Sequence, residues 1–599
     1  MTEAGRLELP RYSWGAHPVG DGLWRFRLWA PGVDGMTLRL DGADHPMDAE
    51  GEGWFSTERP ASEGADYAFV LPDGHAVPDP AARRQAGGVH GPSRLTAPPQ
   101  SDPRGSWQGR AWHDAVIYEL HIGTFTEAGT FSAAVERLDH VAAAGFTAIE
   151  IMPLGEFPGV RGWGYDVVLP YTVHGAYGSP ADLRALVQAA QSRSLMVFID
   201  VVYNHFGPEG NYLGLYAPDF FDPDRQTPWG QAIAYDRGPV RRFFIENALY
   251  WLTEYGFDGL RIDAIDHVRD PHSETEFLLE MIHEIRAALP NRPVHTMTED
   301  NRNVTHLHER EEGRAVLHTA EWNDDLHNAA HVIATGEVEG YYGDFAHDPW
   351  RMYARALAEG YSYQGETTKI SGKPRGAPSA HLPPDAFVDF LQNHDQIGNR
   401  AFGERLSELT SPEMLDALTA ALLLSPHVPL MFMGEEFRAA TPFLFFADYD
   451  GDLARAVTEG RRSEFAEFAA FAAGGTRHIP DPISPATFAA SRLDWSALDQ
   501  PQAQRDLEGI RRLLDLRRRH VTPRLAQTGP DAGRVLQAED GAIAVDWMLG
   551  RAKLQLRARF DEKAPELAHG GTGELLIRAG APAGQVPFAE IFIDTGDVS

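Results

Sequence analysis

The chain has no cysteine in its 599 residues, so it can form neither a disulfide nor a thiolate metal site. It is poor in positive charge: 53 Lys and Arg stand against 86 Asp and Glu, a formal net charge of −33. That excess repels phosphate and argues against nucleic acid or an anionic membrane as a partner, whereas a neutral sugar meets no such barrier. No uncharged apolar run reaches the roughly 18 residues of a membrane span. The first ten residues, MTEAGRLELP, have no apolar core of a signal peptide. There is no internal repeat and no low-complexity tract. Together these absences predict a cytoplasmic globular protein.

What is present begins with length. A single core does not extend over 599 residues, so several domains are expected. Residues 1–92 read as a β-sandwich: 22–31, 36–40 and 67–71 alternate apolar and polar residues between Gly, Asp and Pro turns. A Pro-rich stretch over 77–99 predicts an accessible crossing to the next domain. From 93 to 522 strand-like and helix-like runs alternate. Strands are expected at 115–122, 146–153, 195–201, 258–263, 294–298, 316–321, 386–391 and 429–433, with helices at 131–144 and 181–194. Eight such strands are the number that closes a (β/α)₈ TIM barrel. Residues 523–599 return to short strands at 535–537, 543–547, 554–558 and 574–577, a C-terminal β-domain. The fold class is α/β.

Three acids each end an apolar, strand-like run: Asp263, Glu299 and Asp395. Acids are costly to bury, so an acid closing a barrel strand sits at the barrel mouth. Three of them suit a positively charged transition state, as in glycoside cleavage. Arg261 lies two residues before Asp263 on the same strand, so both side chains point the same way.

Four ordered segments, Asp200-Val-Val-Tyr-Asn-His205, Gly259-Leu-Arg-Ile-Asp263, Glu299-Asp300 and Asn393-His394-Asp395, resemble the signatures of the α-amylase superfamily of glycoside hydrolases. The resemblance covers about 390 residues. Segments 322–328, 227–230, 374–384 and 391–400 resemble its maltooligosyltrehalose trehalohydrolase branch, whose members release trehalose from maltooligosyl trehalose. The resemblance implies a retaining hydrolase with Asp263 as nucleophile, Glu299 as proton donor and Asp395 as transition-state stabiliser. Asp300 remains a competing candidate for the acid. It further implies sugar contacts from Tyr165, His205, Arg261, Asp266, Trp322, Asp324, Asp325, His327, Asn328, His394, Gln396 and Asn399. Asn204 helps bind calcium in many amylases, but the 202–240 excursion does not offer the six to eight oxygens a calcium site needs. The expectation is therefore a structural Asn204, no metal and no cofactor. Two alternatives stay open: a glycogen branching enzyme using the same nucleophile and acid, and a non-catalytic glucan-binding scaffold.

Overall fold

The computed structural model describes residues 12–271, 273–465 and 478–596. Its centre is a closed barrel of eight parallel strands: β1 (Ile117–Leu120), β2 (Ala148–Ile151), β3 (Met196–Val201), β4 (Gly259–Ile262), β5 (His295–Thr298), β6 (Ala320–Trp322), β7 (Phe387–Asp389) and β8 (Val428–Phe432). Every residue of every one of these strands is buried. Helices cover the outside of a parallel barrel and side chains fill its inside, so its strands read as continuous apolar runs. Register places Glu119 of β1 beside Glu150 of β2, and Asp200 of β3 beside Arg261 of β4.

Seven of the eight strands fall where the sequence predicts them, and β6 is displaced. The expected run 316–321 begins late because 310–315 folds into a two-stranded hairpin, Arg310–Glu311 against Arg314–Ala315. The helix expected over 131–144 is broken into Phe131–Val135 and Leu138–Ala144, and the second piece ends at Gly145 with φ +107°. A left-handed residue there suits glycine, which has no Cβ to clash.

Before the barrel lie two antiparallel sheets. One joins 15–20, 23–29, 54–60 and 48–51; the other joins 43–46, 37–40, 66–70 and 76–77, with 93–94 added to 66–70. The Pro-rich crossing is exposed only in part, at Arg84, Gly87, Gly88, His90 and Pro92. Residues 77–83 are buried, and the Arg83 guanidinium lies 2.7 Å from Glu254 beneath the barrel-side surface. Trp14 completes the seam, packing edge-on to Phe243 with centroids 5.1 Å apart and donating Nε1–H to Pro239 O. Burial withdraws 77–83 from a protease and leaves the exposed part of 84–92 as the accessible stretch.

After the barrel a five-stranded antiparallel sheet runs in the order 533–539, 542–549, 552–559, 588–594, 574–580. Four of its strands match the expected ones. The fifth, Phe588–Asp594, was not anticipated, and it sits between two others. The sheet is tied to the helix Pro349–Glu359 by Trp547, whose Nε1–H donates to Leu357 O. Among the described residues, no helix is long and apolar enough to cross a membrane.

Candidate active site

The ends of β3, β4 and β5 converge on one cation. Arg261 is fully buried, its Nη1 2.7 Å from both Asp200 Oδ2 and Asp263 Oδ1, and its Nη2 2.8 Å from Glu299 Oε2. The guanidinium lies 4.3 Å from the Trp322 ring. Burial opposes a charge on Arg261, but Asp200, Glu299 and Asp263 outweigh it and fix the guanidinium as a cation. One guanidinium thus organises three carboxylates in a poorly solvated floor, where each interaction is stronger than in water.

Asp263 is held from two sides. Arg261 takes Oδ1, and Asn204 Nδ2 donates to Oδ2 at 2.7 Å and to the Asp263 main-chain oxygen at 2.9 Å. Asn204 therefore orients the expected nucleophile. The next residue, Ala264, has φ +41°, and its N–H donates to Glu299 Oε2 at 3.0 Å. Burial raises the Glu299 pKa and Asp263 adds to the rise, while Arg261 and the Ala264 N–H oppose it. A raised carboxyl pKa is what a proton donor near neutrality requires. Burial likewise lifts Asp200 to about 7 against the pull of Arg261, and Tyr165 donates its hydroxyl to Asp200 Oδ2 at 2.5 Å. The competing acid, Asp300, is buried away from this cluster and paired with Arg302 at 2.7 Å.

Asp395 opens the short helix α1 (His394–Gly398), where the Asn393 side chain caps the N–H groups of Asp395 and Gln396. Its side chain is 36% exposed. Asn399 donates to its Oδ1 at 3.2 Å. His394 stacks on Tyr165 with centroids 5.1 Å apart. Burial alone would discharge His394, but Asp395 and Glu119 outweigh burial and lift its pKa to about 9. His205 differs: burial lowers it to about 4, and its ring stacks on Trp229, which is 47% exposed at the turn of the hairpin Phe221–Thr227 and Gly230–Ile233. Asp266 lies at the rim, 3.7 Å from His267, with its pKa raised by burial.

Helix α2 (Asp324–Thr335) divides the residues expected to grip the leaving group. Asp324 faces the site. Burial, Glu299 and Asp395 lift its pKa to about 7, and Gln396 Nε2 donates to its Oδ1 at 3.1 Å. The others stand behind the wall. Asp325 is buried and pairs with Arg375 at 2.8 Å, accepting also from Asn303 Nδ2 and from the Ser362 and Tyr363 N–H groups. His327 is buried and kept neutral, contacting Leu391 O and the Tyr342 hydroxyl. Asn328 is 7% exposed, whereas Trp322, before the helix, lies against the Arg261 guanidinium in the site floor. Helical spacing explains the division: successive residues on α2 diverge by about 100°, so the neighbour of an inward Asp324 turns into the protein. The sequence analysis gave no role to Asp200, Glu119, Glu150 or Trp229. Each acid stands within an apolar strand, a signal that marks burial but not what the carboxylate faces.

The model of the alpha-amylase catalytic domain matches residues 100–215. The malto-oligosyltrehalose trehalohydrolase of Deinococcus radiodurans is 40% identical over 596 residues, covering 95% of this chain and 96% of its own. A crystal structure of an alpha-amylase-type protein from Salmonella typhimurium superimposes with a TM-score of 0.93 at 48% identity, covering 98% of this chain and 100% of that one. The 1,4-alpha-glucan branching enzyme of Corynebacterium jeikeium matches only 42% of this chain, at 33% identity. With near end-to-end relatives of one kind and a closed barrel carrying three convergent acids, the chain belongs to the malto-oligosyltrehalose trehalohydrolase family of α-amylase-type glycoside hydrolases.

Proposed function

We propose that this protein hydrolyses the α-1,4 glucosidic bond next to the terminal trehalose of a maltooligosyl trehalose, releasing trehalose with retention of configuration. The chemistry rests on one observation above all: Asp263 and Glu299 are gripped by the two Nη atoms of one guanidinium. A pair held that closely suits a nucleophile and an acid about 5–5.5 Å apart, without the wider gap of about 6.5–9.5 Å that an inverting enzyme reserves for water. Asp263 attacks the anomeric carbon, and Glu299 gives its proton to the departing glycosidic oxygen. Trehalose leaves, and a glycosyl ester remains on Asp263. Glu299 then takes a proton from water as that water attacks the ester carbon, which restores both carboxyl groups. Asp395 accepts hydrogen bonds from ring hydroxyls and steadies the oxocarbenium-like transition state. The substrate class rests on the family relation and on Asp324 and Gln396 as the partners of the leaving group, a role supported by their mutual hydrogen bond and by Asp324 lying near Glu299 and Asp395.

The test is NMR of early product from maltooligosyl trehalose. Free trehalose with the new reducing end as the α-anomer is expected. The β-anomer overturns the mechanism. Cutting plain maltooligosaccharide equally well, or making α-1,6 branches, overturns the substrate assignment and leaves the mechanism standing.

A further inference from the structure

One buried acid in the barrel floor is unaccounted for by the reaction. Glu119, in the middle of β1, is 1% exposed. Both of its carboxylate oxygens are spent on a single residue: Oε1 faces His394 Nδ1, and Oε2 accepts the His394 main-chain N–H at 3.1 Å. Among the described residues no Lys or Arg forms an ion pair with Glu119. Its strand is pinned from the other side, since the Glu119 main-chain oxygen accepts from Met433 N at 2.9 Å, just past β8.

The other nitrogen of the same imidazole, Nε2, lies 3.5 Å from Asp395 Oδ1. A carboxylate thus stands at each end of the ring. Nδ1 must carry a proton to meet Glu119. A neutral ring would then turn a bare Nε2 lone pair toward Asp395, which is repulsive; a proton on both nitrogens makes both contacts attractive. Stacking on Tyr165 and edge contact with Trp163, at 5.5 Å between centroids, fix the ring plane. The charged groups that act on His394 come from every side: Glu119 on β1, Glu150 on β2, Asp200 on β3, Arg261 on β4, Glu299 beyond β5, His121 and Asp395. Arg261 alone among these is a firm cation opposing the imidazolium, and it is already committed to three carboxylates.

We propose that Glu119 is a positioning residue for the reaction: it holds His394 as an imidazolium and aims Nε2–H at the hydroxyl of the bound ring that Asp395 also faces. A charged donor at that point strengthens as the ring hydroxyls become more acidic on the way to the oxocarbenium ion. Glu119 touches neither substrate nor reacting atoms and acts only through His394. The proposal rests on this mouth being the catalytic site, but its first test does not depend on which glucan is cleaved.

That test is an NMR titration of the imidazole nitrogens in the unmodified full-length protein, with His394→Gln identifying the resonance. A resonance that stays imidazolium through neutrality and titrates near pH 9 is expected. A His394 that is neutral at pH 7 overturns the proposal without any Glu119 variant. In Glu119→Gln, which keeps the shape and removes the charge, the His394 titration should drop by more than tenfold in proton affinity. At pH 7 its kcat should fall at least about tenfold, with KM changed less than about threefold, the mark of an interaction realised in the transition state. Unchanged His394 titration in a folded Glu119→Gln overturns the proposal. So does a loss confined to KM. Should that variant not fold, Glu119→Asp, which keeps the charge on a shorter side chain, must leave His394 an imidazolium at neutrality; a neutral His394 there overturns the proposal.

Discussion

The two flanks of the barrel mouth are built on opposite plans. On the nucleophile flank every acid has a fixed partner: Asp263 lies between Arg261 and Asn204, and Asp200 between Arg261 and Tyr165. On the opposite flank, where we propose that the leaving group departs, Asp324 faces Glu299 and Asp395, and the cation beyond it, Arg375, is engaged by Asp325. Gln396 Oε1 finds no hydrogen-bond partner among the described residues. The difference teaches how the work is divided. The first flank is organised before substrate arrives, so little must be rearranged during bond cleavage. In the proposed reaction the second offers the leaving group's hydroxyls Asp324, whose pKa burial lifts to about 7, and the unpaired Gln396 Oε1.

The sharpest way to break this comparison is to remove each acid. Asp263→Asn, Glu299→Gln and Asp395→Asn are each expected to lower turnover at least about a thousandfold with the fold retained, as measured by single-turnover kinetics and circular dichroism. Equal loss in Asp300→Asn with none in Glu299→Gln would move the acid to the wrong side of the Arg302 pair.

Next in size is the contrast within α2. Asp325 stabilises the wall through three hydrogen-bond donors and the Arg375 ion pair, so Asp325→Ala is expected to cost about 3–5 kcal/mol of stability, the usual result of breaking a buried ion pair from one side. Asp324→Asn should not destabilise the fold as Asp325→Ala does, and should instead reduce the preference for a trehalose-capped chain over plain maltooligosaccharide. Chemical denaturation and paired kcat/KM values check both. The reverse assignment of effects would erase the division between facing and supporting residues.

A smaller effect concerns pH. Asp324 has its folded pKa raised from 3.8 to about 7. The folded protein therefore holds a proton that the unfolded chain releases, and stability is lost as pH rises from about 4 to about 7. Asp324→Asn lacks this loss, so its stability advantage over the parent should grow across that window and level off above it. Denaturation at pH 4, 5.5, 7 and 8.5 measures the gap; a gap that shrinks as pH rises contradicts the raised pKa.

The smallest expected effect is that of chelation. Asn204 Nδ2 donates to Asp263 and its Oδ1, the atom that would ligate an ion, faces His205 Nδ1, so prolonged chelation should leave both melting temperature and activity nearly unchanged. A drop of many degrees restored by calcium would show that an ion, not Arg261 and Asn204, organises the nucleophile flank.

Much of this arrangement was legible in the sequence, for reasons that also mark the limit. The barrel strands were readable because a strand buried on both faces is apolar throughout. The acids that end them were readable because a carboxylate closing such a run has only the mouth to face. Phe588–Asp594 escaped notice although Glu590, Phe592 and Asp594 are half-buried while Ile591 and Ile593 are buried: its partners lie at 552–559 and 574–580, and pairing order is not written in local pattern. The region 322–328 was legible as important but not as a surface and its support, because only the orientation of α2 separates Asp324 from Asp325. Glu119 carries no local mark, since its partner lies 275 residues away.

The left-handed turn at Ala264 has a mechanical meaning. Glu299 is tied to the two residues after Asp263: the Ala264 N–H reaches its carboxylate, and the Ile265 N–H donates to its main-chain oxygen at 3.0 Å. The two reacting groups therefore ride on one small rigid body rather than on two strands that breathe separately. A displacement of β4 carries the end of β5 with it, and the spacing on which the reaction depends survives deformation of the barrel around it. Position 264 is in turn closed to β-branched side chains, which a φ of +41° disfavours. The smallest chiral side chain at this point is what lets the linkage close.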